Sequence, residues 1–332
     1  MRISVTHSRM ARARALVTLA LALVTLVSCL RDEVEVPARQ AIGFSTLLTK
    51  AGATADNIGA SGSAFIVRGS VCSGSTWASA GASVVFDGVT VTSNGSAWTY
   101  SPLRYWYPSS AYHFRAVWPA SAFGASSAKY TDGLDGNASI TGFTVGTDAN
   151  VDLLLSNLAS VTTDDTGIPT SASLESDKVK LTFGHILSQV NVSVAQQDAS
   201  SGLRITNVTI AGMKGSGNFS GTSTTGTWTA SGDAVNRSKS FSTAQALDGT
   251  NFYSIWDGGL FLIPQSLSGI TLSVTFQEGA SGTPQTLTAN LGTSDWEQGK
   301  NYEYKATLTA KQIEFTVKVV DWVDGSTITL QK

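Results

Sequence analysis

Apolar and polar residues alternate with a period of two through most of the informative parts of the chain. Val179, Leu181 and Phe183 alternate with Lys180 and Thr182, and Val190, Val192 and Val194 with Asn191 and Ser193. The same rhythm runs through 270–276, 302–308 and 313–319. Successive side chains of a strand point to opposite faces, so these rows predict strands with one apolar and one wet side. Asp-Gly or Asn-Gly pairs at 87–88, 94–95, 132–133, 135–136, 248–249, 257–258 and 324–325 read as the turns between strands. No long stretch of helical period follows residue 28. The pattern therefore predicts an all-β chain built from sandwiches.

At 332 residues the chain is too long for one ordinary domain and comfortable for two. The polar stretch 160–177 contains Asp164-Asp165 and Gly167-Ile168-Pro169 and little apolar matter, which makes it the expected boundary. One domain is expected over 42–175 and a second over 178–332. The segment 213–250, rich in Ser, Thr and Gly, is expected to form long loops or an exposed hairpin.

The N-terminus carries a different kind of pattern. Arg2, Arg9, Arg12 and Arg14 precede an apolar run over 15–27, the form of a secretory signal. A compact signal starting at Met10 fits equally. The run ends in Leu26-Val27-Ser28-Cys29, which resembles a bacterial lipobox, where the cysteine thiol receives a diacylglyceryl group and becomes the mature N-terminus. Residues 1–28 are then a lipoprotein signal peptide, Cys29 the lipidated residue, and 29–41 a tether. Buried acyl carbons, at about 0.8 kcal/mol per methylene, make such an anchor durable. Arg31, Asp32 and Glu33 follow directly. Acidic residues at that place resemble the surface-export signal of Bacteroidetes lipoproteins.

Composition narrows the chemistry. Only 14% of residues are charged and the net charge is −2. Without the four arginines of the signal, 18 basic residues face 24 acidic ones, so no basic face for nucleic acid is expected. Two cysteines supply neither a disulfide framework nor a cysteine-rich zinc site, and Cys72 is read as a small core residue. Three histidines leave little material for a metal centre or a histidine base. His113 and His185 are read as structural, since no nucleophile motif such as G-x-S-x-G accompanies them. The Asp132–Asn137 run reads as Asp-Gly turns, lacking the spacing and terminal Glu of a calcium loop. No enzyme activity, cofactor or metal is expected.

Four stretches carry a family resemblance. The run 181–190 (LTFGHILSQV) resembles the "L-x-F-x-H-x-L-S-x-V" signature that opens the second domain of fimbrillin-like proteins of Bacteroidales. The run 261–267 (FLIPQSL) resembles their "L-I-P-Q" strand. The run 296–304 (WEQGKNYEY) with Val320-Asp321-Trp322 is similar to their "W-x-x-G-x-x-Y-x-Y" segment and terminal "V-x-D-W" strand. Upstream, 111–119 (AYHFRAVWP) is similar to the "Y-x-F-x-A-x-x-P" strand of the first domain.

The resemblance implies two tandem transthyretin-like (Ig-like) β-sandwiches, export as an outer-membrane lipoprotein to the cell surface, and assembly with other subunits into a type V pilus. It implies polymerisation by strand exchange. A protease removes the first strand of the N-terminal domain, and the C-terminal strand of a neighbour fills the apolar groove. A groove lacking a strand presents unpaired backbone groups that an incoming strand satisfies. Burial of about five inward side chains at 1.5–3 kcal/mol each gives a gross gain on the order of 7–15 kcal/mol, an upper bound.

In this chain the removable strand and its cut correspond to 42–51, with Ile42, Phe44 and Leu47 as its apolar residues and Lys50-Ala51 as the cut. Family members often carry arginine there, and the nearest arginines are Arg39 and Arg68. Either a lysine-tolerant protease cuts after Lys50, or the strand stays and the protein is an anchor-type subunit. The donor material is Ile313, Phe315, Val317 and Val319, then Ile328 and Leu330; the alternative is that both segments complete their own sandwich. A rival reading is a monomeric surface glycan-binding lipoprotein, with Trp77, Trp228 and Trp256 near Gly/Ser-rich loops as the stacking residues.

Overall fold

Each of the five alternating rows lies in a β-strand. The computed structural model describes residues 39–48, 58–124, 127–146, 150–222, 225–292 and 294–321. In chain order the strands are β1 (Phe44–Leu48), β2 (Ala64–Ser73), β3 (Ser83–Ser93), β4 (Trp98–Thr99), β5 (Ser110–Trp118), β6 (Lys129–Asp132) and β7 (Ala138–Thr144). Next come β8 (Leu154–Ser156), β9 (Ala159–Thr163), β10 (Pro169–Thr170), β11 (Leu174–Glu175), β12 (Lys178–His185), β13 (Ser188–Gln196) and β14 (Leu203–Gly221). The last are β15 (Gly226–Ala246), β16 (Tyr253–Ser254), β17 (Leu260–Leu262), β18 (Thr271–Glu278), β19 (Gln285–Asn290), β20 (Lys300–Leu308) and β21 (Ile313–Asp321). Among the described residues the only helical element is a single 3-10 turn, Ala120–Ala122.

The strands form three sheets. The first runs β1-β12-β8-β5-β2-β3-β4, with β9 on β5, β10 on β9 and β11 on β12. The second runs β16-β13-β20-β21 with β17 on β13, and the third β19-β18-β14-β7-β6 with β15 along β14. A core that includes Phe65, Phe86, Phe114, Leu181 and Phe183 belongs to the first sheet. A second core draws Val190, Val192 and Tyr304 from the second sheet and Ile205, Leu272 and Phe276 from the third. A third cluster takes Val117, Ile140 and Leu155 from the N-terminal half and Phe219, Phe261 and Ile263 from the C-terminal half. The two sandwiches therefore share buried apolar surface.

The cores divide the chain at a different place from the expected 175–178. β12, expected to open the second domain, pairs with β1 and β8 and puts Val179, Leu181 and Phe183 into the first core. The chain passes between the halves at Ile186 and Leu187, both fully buried in the third cluster. The polar stretch 160–177 is spent on β9, β10 and β11, which belong to the first sheet. A period-two row fixes which face of a strand is buried but not which sheet receives it. The Ser/Thr/Gly segment falls in a hairpin of β14 and β15, 19 and 21 residues long. β15 is mostly exposed, but β14 is an interior strand that buries Met213 and Phe219, so only half of the expected exposed hairpin is exposed. β14 bulges between Ile210 and Met213, where Gly212 has φ +87° and a Cβ would stand 2.8 Å from the Gly269 carbonyl oxygen.

Two buried polar side-chain pairs lie within the N-terminal half. Arg115 on β5 meets Asp132 on β6 at 2.9 Å. Burial pushes the Asp132 carboxyl up to about 6, against the pull of the Arg115 guanidinium. His185 at the end of β12 meets Asp152 at 2.6 Å, with both side chains fully buried, and Asp152 also accepts from the Leu153 backbone N–H. This histidine sits where no solute reaches it.

Candidate strand-exchange groove

Residues 42–48, Ile-Gly-Phe-Ser-Thr-Leu-Leu, carry no charge. Within them β1 forms an edge of the first sheet, pairing in parallel with β12 from Phe44 against Val179 to Leu48 against Phe183. Just before it, the Val179 N–H donates to the Gly43 carbonyl at 2.8 Å. On the other side an aromatic segment clamps the chain. Ile42 N–H donates to the Arg104 carbonyl at 2.8 Å, Trp106 N–H to the Gln40 carbonyl at 3.1 Å, and the Tyr100 hydroxyl to the Ile42 carbonyl at 2.7 Å. The Trp98 indole N–H donates to Thr46 Oγ1 at 3.2 Å.

Ile42 and Phe44 point into the core and are 1% and 2% exposed. The Phe44 ring meets Phe65, Phe86, Tyr100 and Phe114 edge-on, at centroid distances of 6.0, 5.4, 5.9 and 6.0 Å. Gly69 on β2 makes room for this cluster, since a Cβ there would stand 2.6 Å from the Phe114 ring. Burial raises Tyr100 above the usual phenol range. Leu47 lies on the opposite face, 43% exposed. Of Ile42, Phe44 and Leu47, only the first two enter the groove, because a period of two puts 42, 44 and 46 on one side. Two fully buried side chains give roughly 3–6 kcal/mol of gross stabilisation at 1.5–3 kcal/mol each. Phe44 of β1 thus fills an apolar groove in the core that includes Phe65, Phe86, Phe114, Val179 and Leu181.

At the other end of the chain, β21 pairs antiparallel with β20 over nine residues, Ile313 against Leu308 through Asp321 against Lys300. Ile313, Phe315, Val317 and Val319 pack against the second core but remain partly exposed. Phe315 meets Tyr304 edge-on at 6.1 Å, and Lys300 pairs with Asp321. In this structure β21 completes its own sandwich. Cys29, Lys50, Ala51, Ile328 and Leu330 lie outside the described residues.

The three tryptophans named from sequence stand in three different surroundings. Trp77 stacks on His113 at 3.8 Å, and burial followed by Arg115 lowers the His113 pKa. Trp228 donates its indole N–H to the Ile186 carbonyl at 2.6 Å and packs on Phe143 and Phe219. Trp256 is half-buried against the second core. Among the described residues no group of three or more His, Cys, Asp or Glu side chains is placed to hold a metal ion. The clamp formed by Tyr100, Arg104 and Trp106 was not foreseen from the sequence. Its only signal there is the crowding of Trp98, Tyr100, Tyr105, Trp106 and Tyr107 within ten residues.

A sequence profile described as fimbrillin-like matches residues 58–322, a span that begins after β1. Among solved structures, a fimbrial protein from Bacteroides vulgatus ATCC 8482 is similar with a TM-score of 0.63 and 15% identity, over 85% of this chain and 99% of that one. A protein from Bacteroides uniformis ATCC 8492, assigned by its name to cell adhesion, is similar with a TM-score of 0.54 and 18% identity, over 86% and 98% of the two chains. A third, from Bacteroides ovatus ATCC 8483 and named likewise, has a TM-score of 0.52 and 14% identity, over 87% and 100%. At these identities the likeness is one of fold. No curated protein matches the chain in sequence.

Proposed function

The chain belongs to the fimbrillin-like family, and on that premise we propose that it is a structural and adhesive pilus subunit assembled by exchange of β-strands. The observation that carries the proposal is the seating of β1. Phe44 fills an aromatic groove from an edge position, and Lys50 follows the strand's last residue, Leu48, by two positions. The fimbrial name of the Bacteroides vulgatus structure points the same way.

In this reading the subunit reaches the outer membrane on an acylated Cys29. A protease then cuts between Lys50 and Ala51, and β1 leaves the groove. β12 is left with unpaired backbone groups along one side, and the pocket of Phe44 is left apolar and empty of its ring. Both demand an extended segment with bulky residues two apart. The terminal residues of a neighbour meet the demand, because Ile328 and Leu330 repeat the spacing of Ile42 and Phe44. β21 holds its nine-residue ladder in its own sandwich and serves as the root from which that segment extends.

The test is the N-terminus and intact mass of the protein recovered from cells, in pilus and membrane fractions separately. Chains starting at Ala51 in the pilus fraction are expected. Lipidated chains starting at Cys29 in every fraction would overturn the cleavage step and leave the anchor-type subunit. Deleting 322–332 is expected to abolish incorporation into pili, and normal polymerisation of that variant would remove the donor role from Ile328 and Leu330.

A further inference from the structure

We propose that the outer face of the second sheet carries a binding site for uncharged pyranose sugars, independent of strand exchange. An open cavity of about 540 Å³ lies there, floored by β13, β20 and β21 and walled by the segment around Phe252 and Ser254. That volume falls within the roughly 300–1,000 Å³ of small-ligand sites. None of Trp77, Trp228 and Trp256 lines it.

The floor follows from strand alternation. Tyr302, Tyr304 and Ala306 of β20 are buried, so Asn301, Glu303 and Lys305 face outward. The parallel register sets Asn191 beside Glu303 and Ser193 beside Lys305, and β21 adds Lys318 opposite Glu303. The result is a row of polar side chains across three strands, with a second row one step along.

The donors and acceptors in these rows suit vicinal hydroxyls. Asn191 donates its amide N–H to Asn301 Oδ1 at 2.7 Å, so Asn301, which lines the cavity, spends its oxygen inside the pair and has its own amide N–H groups to offer a ligand. Glu303 lies next to it in the same floor, 3.6 Å from the Lys305 ammonium through one oxygen, with its other oxygen an acceptor for hydroxyl groups. A hydroxyl both donates and accepts, so two adjacent ring hydroxyls can satisfy Asn301 and Glu303 together. The rim supplies the apolar half of the match. Phe252 is 39% exposed, and the Lys305 ammonium stands 5.5 Å from its ring centroid, holding the ring beside the cavity. A pyranose presents C–H groups on one face and hydroxyls at its edge, the division of labour found between Phe252 and the amide–carboxylate floor. Glu303 and Lys305 offset one another at the floor, so the contacts offered to a neutral sugar are hydrogen bonds and the Phe252 ring. Because β21 contributes Lys318 and Val320, an occupied groove also holds β21 on its sheet.

The experiment is isothermal titration of the purified chain with maltoheptaose, cellohexaose, chitohexaose, mannohexaose and xylohexaose, and with a heparin-derived tetrasaccharide as the acidic comparator. At least one neutral sugar is expected to bind saturably. Phe252→Ala and Asn301→Ala are each expected to weaken that binding roughly tenfold, with an unchanged thermal midpoint. Glu303→Gln keeps the shape of the floor and is expected to weaken it less, while Trp77→Ala is expected to leave affinity unchanged. The proposal fails if no neutral sugar binds, if only the acidic comparator binds, or if both Phe252→Ala and Asn301→Ala retain full affinity.

Discussion

β1 and β21 are both edge strands, both rich in apolar residues, and both tied to a sandwich core, yet they are held in different ways. β1 is short, uncharged and parallel to its neighbour, and its Phe44 and the Ile42 just before it are almost completely buried. β21 is nine residues long, antiparallel, and packs four apolar side chains that stay partly exposed. The first is fixed by two deep side chains and a backbone clamp from Arg104, Trp106 and Tyr100. The second is fixed by ladder length. A strand held by a few deep contacts releases cooperatively once those contacts are lost, whereas a long shallow ladder can fray from its end. The difference is the one expected if, as proposed, β1 is the removable strand and β21 the root of the donor segment.

The largest expected effect comes from taking β1 away. A chain beginning at Ala51 is expected to lose roughly 3–6 kcal/mol, the burial of two side chains, from its N-terminal sandwich, and to bind an apolar dye. Adding a peptide of residues 40–49 in trans is expected to restore the thermal midpoint and suppress the dye signal. A 322–332 peptide is expected to do the same, and a scrambled 322–332 peptide is not. Rescue by 313–321 in place of 322–332 would break the assignment of root and donor.

Point substitutions sharpen the contrast. Phe44→Ala is expected to cost about 3–5 kcal/mol in denaturant unfolding, as for a fully buried ring. Phe315→Ala, half-buried in β21, is expected to cost roughly half as much. Equal costs would mean that the two edges are held alike. Asp321→Asn removes the Lys300 pair, whose side chains are 32% and 44% exposed. The expected loss is about 0–1 kcal/mol, and it should vanish at high salt. β1 has no charged partner to lose, so salt separates the two strands.

Much of this contrast was readable from the chain, though not all. The period-two rows gave β12, β13, β18, β20 and β21 and their buried faces, because alternation is a local property. The same rows could not say that β12 joins the first core or that β7, with β6 at its far side, pairs across to β14, since those pairings depend on which edges are free once the rest has folded. The depth of β21 was unreadable for a related reason. Ile313, Phe315, Val317 and Val319 look as apolar as the residues of β20, but an edge strand has a neighbour on one side only. Leu47 shows the limit within a single strand. Its hydrophobicity suggested an inward residue, and its odd register places it outside. Phe252 gave no signal at all, because one aromatic in a polar loop acquires meaning only when the fold sets it beside Asn301 and Glu303.

The smallest expected effect bears on polar positions in the two strands. Ser45 on β1 has its hydroxyl buried without a hydrogen-bond partner, beside Lys180 in the register. A buried hydroxyl without a partner costs its desolvation, so replacing it with a methyl group removes a penalty and forfeits no bond. Ser45→Ala is expected to stabilise the N-terminal sandwich by up to about 1 kcal/mol, and to slow both the escape of β1 after cleavage at Lys50 and the uptake of a donor peptide. On β21 the comparable polar position is Thr316, which is exposed. Thr316→Val is expected to change stability by no more than about 0.5 kcal/mol, because its hydroxyl already meets water. Hydrogen exchange at the amides of β1 and β21 reads both changes in one experiment. Slower exchange in β1 alone on Ser45→Ala supports a strand kept deliberately short of its tightest fit. An equal response of both strands would mean that the unsatisfied hydroxyl has no part in how β1 is released.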